Sequence, residues 1–166
     1  MELTEQPTAT FFGRQVMADG AILIRGVSIV FRVQRLKPGV VLLTVSGGRA
    51  KRPEDAAAER IMLEELDREI QAHGGITIFA DMRHSSTMAA QSREVASEWL
   101  RAHKQQIRAS HILVRSKLIE MAISVISMVV GGGLLHVYSR VPEFMRALHG
   151  AAPGLLDLPH IAHVAA

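Results

Sequence analysis

Cysteine is absent from the 166-residue chain, which excludes a disulfide framework, a thiolate metal site and a cysteine nucleophile. Charge of one sign is also scarce, with a formal net charge of only +3. The densest basic stretch, Arg101, Lys104, Arg108, Arg115 and Lys117, has no aromatic residue between its members. Single-strand binders offer bases an aromatic stacking surface, so this stretch reads as a solvated face and no nucleic-acid partner is expected.

A long apolar run is missing too. The nearest approach, Met121 to Leu135, is uncharged, but Glu120 and His136 bound it and Gly131-Gly132-Gly133 interrupts it. A membrane span takes about 20 apolar residues, so none is expected. The start, Met1-Glu2-Leu3-Thr4-Glu5, carries acids where an export signal carries basic residues. A cytoplasmic protein is expected.

What is present is enough apolar surface for one core, at 48% hydrophobic residues. The first ten residues are polar and Thr-rich and read as a loose tail. Between Phe11 and Ile24, Asp19-Gly20 marks a turn between two candidate short strands. Ser28 to Arg35 alternates and is β-branched, and Lys37-Pro38-Gly39 turns it into the apolar run Val40 to Val45, predicting a hairpin.

Helices then alternate with strands. Pro53-Glu54-Asp55 suits a helix first turn, and Ala58, Met62, Leu66 and Ile70 form one apolar stripe that Gly74-Gly75 stops. Ile76 to Ala80 reads as a buried strand, followed by a loop from Asp81 to Met88. The next helix would present Val95, Ala96, Trp99 and Leu100 to the core. A strand at His111 to Val114, an apolar helix from Lys117 to Val130, a strand at Leu134 to Tyr138 and a helix through Leu148 complete the pattern. The fold class is therefore α/β: a mixed sheet with an initial hairpin, later strands parallel, and helices packed on it.

This order, with Phe31-Arg32-Val33 and Gly39-Val40-Val41-Leu42-Leu43-Thr44-Val45-Ser46-Gly47 at its start, resembles the STAS superfamily over roughly residues 28–149. Residues 1–27 would be a tail with extra strands, and 150–166 a C-terminal tail. The superfamily includes anti-sigma factor antagonists, and the STAS/SEC14-like group includes lipid carriers. The resemblance implies a regulatory branch with a phosphorylatable serine after an aspartate at the third strand. The matching residues are Asp81, Arg83, His84, Ser85 and Ser86, although the Asp-Ser-Ser-Gly-Leu pattern of that branch is absent.

Each candidate group has two readings. A phosphate on Ser85 or Ser86 would suit a helix N-terminus with Arg83 and His84 nearby; a plain helix cap needs no kinase. Asp81 lies where open α/β sheets place ligand groups, or caps a turn. The eight histidines show no His-Glu-x-x-His spacing, and the nearest cluster, Asp157, His160 and His163, has a weak context, so neither metal nor cofactor is expected. The Lys117 to Val130 helix is apolar around more than one face. Met121, Val125, Met128 and Val129 therefore mark a subunit interface or an apolar ligand site. A non-enzymatic STAS-like regulatory or scaffold module is expected, with an unidentified protein partner or a second copy of itself. The alternative is a binder of a lipid or nucleotide.

Overall fold

The computed structural model describes residues 13–47, 53–85, 87–131 and 133–154. Ser86, Asp157, His160 and His163 lie outside the described residues, as do the first ten residues.

Seven strands form one mixed sheet in strict chain order: β1 Gly13–Val16, β2 Ile22–Arg25, β3 Ile29–Lys37, β4 Val40–Gly47, β5 Ile76–Ser85, β6 Ile107–Leu113 and β7 Leu135–Tyr138. Strands β1 to β4 are antiparallel neighbours, while β4 to β7 are parallel. The hairpin and the parallel half are as the sequence predicts. Residues 13–25 form the two short strands expected there, added to one edge of the same sheet and joined by a turn in which Ala21 N donates to Asp19 Oδ1 at 3.0 Å.

Four helices connect and cover the sheet: α1 Pro53–His73, α2 Ala90–Ala102, α3 Lys117–Val130 and α4 Val141–Ala151. Parallel strands added in one direction by right-handed crossovers keep their helices on one face. Accordingly α1, α2 and α3 share one core with the sheet, built on Ala58, Met62, Leu66, Leu100, Ile119 and Ile123. Helix α4 turns back over the opposite face, where Phe144 and Leu148 join Leu42, Phe79 and Leu113.

The helix ends follow from local chemistry. Gly74 closes α1 with φ +72°, its N–H donating to the Ile70 carbonyl at 2.7 Å. Ser116 caps α3, its Oγ accepting from Ile119 N at 3.4 Å, and Gly131 ends that helix with φ +75°. The stop leaves α3 at 14 residues, and among the described residues no helix is long and apolar enough to cross a membrane.

One element departs from expectation. Strand β5 does not end at Ala80 but runs to Ser85, so Asp81, Arg83, His84 and Ser85 are strand residues rather than loop. The physical reason lies in β4, which continues to Gly47 and pairs Ser46 with His84 and Gly47 with Ser85. The register slips between Thr44 and Ser46, adding one residue to β5 and reversing which face its last side chains meet. The expected serine cap is also absent from α2, whose N-cap is Ala89, with no side-chain hydrogen bond.

Candidate functional site

The extended end of β5 and the α2 N-terminus border a half-open cavity of about 180 Å³ between the sheet and the three-helix layer. Its floor is the inner face of the sheet, including Phe31, Leu43, Val45 and Ile112. Met62 of α1, Met88 and Ala96 around α2, and Ile123 and Ile126 of α3 supply the walls. Gly47 and Thr87 place part of it at the carboxyl ends of β4 and β5, where open α/β sheets hold their ligands.

Polar groups bridge α1 and α2 beside the apolar packing that the two helices share. Ser92 Oγ donates to Glu59 Oε2 at 3.0 Å, and Trp99 Nε1 donates to Asp67 Oδ1 at 2.8 Å. These links hold α2 against α1, while α2 also packs on α3. Apart from Thr87, the polar side chains of the lining are Glu59, Ser85, Ser92 and Ser110; no histidine lines the cavity among the described residues.

The residues singled out in the sequence separate into three groups. Asp81 is buried and grips Arg83: Oδ1 accepts from Arg83 Nε at 3.0 Å and Arg83 N at 3.1 Å, and Oδ2 from Nη2 at 2.9 Å. That fork raises the Arg83 pKa further above its usual value, chiefly through the hydrogen bonds to Asp81. Ser85 is buried, with its hydroxyl donating to the Val45 carbonyl at 3.4 Å, and forms part of the cavity wall. His84, between them, is exposed.

The third group lies on α3. Ile119, Ile123, Ile126 and Val130 face inward, while Met121, Val125, Met128 and Val129 are exposed, Met121 at 65% and Met128 at 77%. The two faces explain why the helix reads as apolar all round: one belongs to the core and the other to the surface.

Sequence reasoning missed Glu59 and Ser110. Both carried a signal, since Glu59 precedes Met62 by three residues and so shares its buried side, and Ser110 alternates with Ile112 on the inner face of β6.

On the opposite face, rings from three neighbouring strands stack. Phe79 meets His111 at 4.6 Å between centroids, His111 meets His136 at 5.0 Å, and His111 Nδ1 lies 2.8 Å from Tyr138 Oη. Burial, and secondarily His136, lower the His111 pKa; burial, and secondarily Glu143, raise that of Tyr138. A histidine held neutral adds stability above its unfolded value of about 6.5 and loses it as pH falls through the lower folded value. Urea unfolding at pH 7.5 and 5.5 is therefore expected to show a loss of stability at the lower pH, smaller in His111→Phe, which keeps the stack and cannot titrate. Among the described residues no three His, Asp or Glu side chains converge as a metal site.

Compared with known protein families and with curated proteins, the chain matches none.

Proposed function

We propose that the chain is a non-enzymatic, STAS-like regulatory or scaffold module that works through protein contact, with the outer face of α3 as its contact surface and a second copy of the chain as occupant. The STAS-like part of the reading rests on the sequence of the hairpin and on the element order that follows it. The observation that carries the contact surface is the exposed row Leu118, Met121, Val125 and Met128. Its spacing of three, four and three residues is the seam that lets two helices interlock.

Continuity of the apolar surface supports self-association. Val129 of the same helix and Val137 of the edge strand are exposed as well, which brings the exposed large apolar side chains of α3 and β7 to six. Phosphorylation of Ser85 is not part of the proposal, because its hydroxyl is buried in the wall of the cavity.

Light scattering across a dilution series tests the reading. The wild type is expected to move from dimer toward monomer as it is diluted, while Met128→Glu stays monomeric throughout, still melts cooperatively, and matches the melting temperature of the diluted wild type. A wild type that remains monomeric at every concentration would sink the proposal.

The cavity favours a second reading, a small-molecule binder. The half-open concavity, its mostly apolar lining and its few polar groups are the features of a ligand site. Native mass spectrometry of the freshly purified chain tests it, and co-purified small-molecule mass is the expected result.

A further inference from the structure

Ser110 is only 5% exposed, lines the cavity, and makes no side-chain hydrogen bond among the described residues. The Ser110 Oγ is not among the fully buried atoms left without a partner, so the hydroxyl opens onto the cavity, where water or a ligand can meet it. The neighbouring polar groups do not occupy it: Ser85 donates to Val45 and Ser92 to Glu59. The mostly apolar cavity thus offers one hydroxyl that bonds to no described side chain.

The dimensions limit what can meet it. Aliphatic-lined cavities of about 150 Å³ hold benzene, and this one measures about 180 Å³. The cavity is half open to solvent, so a nucleotide or a long acyl chain would project from it, whereas a single or fused pair of rings fits inside. Met62, Met82 and Met88 contribute flexible thioether side chains to the walls, which adapt to a flat ligand and make favourable contacts with its ring edges. Charge narrows the class further, since an anionic ligand would share the cavity with the Glu59 carboxylate.

We infer that the cavity binds a neutral, planar, mostly apolar molecule of about indole size, with one hydrogen-bonding group directed to Ser110. The inference rests on the second reading above and adds the class of ligand. Ser110 anchors the polar atom, and the apolar walls hold the ring.

The test uses the full chain and two probes of nearly equal shape, indole and indene, which differ in the ring N–H. Calorimetric titration is expected to show indole binding about fivefold or more tightly than indene, the worth of one hydrogen bond. Ser110→Ala is expected to bring the two within about twofold of each other, because only the hydroxyl is lost. Ala96→Phe, which fills the cavity from α2, is expected to abolish both while the circular dichroism melt stays cooperative. Equal binding of the two probes to the wild type, or undiminished indole binding by Ala96→Phe, overturns the inference. If neither probe binds but native mass spectrometry finds another co-purified molecule, the ligand class is wrong and the second reading survives. If neither binds and nothing co-purifies, both fall.

Discussion

Gly47→Ala is expected to destabilise the domain by about 3 kcal/mol or to prevent folding, because two independent penalties coincide at that residue. Gly47 has φ +88°, where an L side chain is strained. A Cβ there would also overlap the carbonyl oxygen of Ser28, and the Ser28 carbonyl carbon and Ile29 Cα are close behind it. All three are backbone atoms at the entry to the strand that pairs with Gly47, so no side-chain rotation relieves the overlap. Gly74→Ala separates the two effects. Its φ is +72°, yet nothing lies within 4 Å of the added Cβ, so it should cost only about 1 kcal/mol. Urea denaturation of both variants measures the contrast, and equal losses would show that the crowding at Gly47 is not limiting.

Asp55→Ala is the second large effect, again about 3 kcal/mol, since several hydrogen bonds converge on one buried carboxylate. Asp55 Oδ1 accepts from Val27 N at 2.7 Å and Ser28 N at 2.9 Å, and Ser28 Oγ donates to Oδ2 at 2.5 Å. The same carboxylate sits in the first turn of α1, where the helix dipole favours negative charge. Alanine leaves two backbone donors without their acceptor and disconnects the β2–β3 turn from α1. Asp55→Asn retains one acceptor oxygen and should lose about half as much. The neighbouring Gly26 belongs to the same arrangement, because a Cβ on it would collide with Asp55 Oδ1. Chemical unfolding decides the matter: if alanine costs no more than asparagine, the carboxylate is not what ties the turn to the helix.

Gly47 lines the cavity, as does Ile29, which pairs with it and follows the turn that Asp55 holds.

Much of this architecture can be read from the amino acids in order. The stripe of Ala58, Met62, Leu66 and Ile70 is buried as its period requires. The hairpin turns at Gly39 with φ +76°, and Gly131 stops α3 through the positive φ that glycine allows. The outward Met121, Val125, Met128 and Val129 were equally legible, because an apolar helix of 14 residues cannot bury every face against a single sheet.

Other features depend on which segments become neighbours. Asp81 to Ser85 looks like a polar loop, yet β4 offers it a line of backbone partners and it pairs as strand. The slip in that pairing directs Ser85 inward and removes it from the surface where a kinase would reach it. The cavity is still less visible, since Glu59, Ser85, Ser92 and Ser110 come from four separate elements. Local propensity, periodicity and glycine placement are properties of short stretches, and on these the sequence by itself determined the elements and their stops. Pairing register, and the space left between the sheet and the helix layer, arise only when distant segments pack, and these the tertiary structure decided.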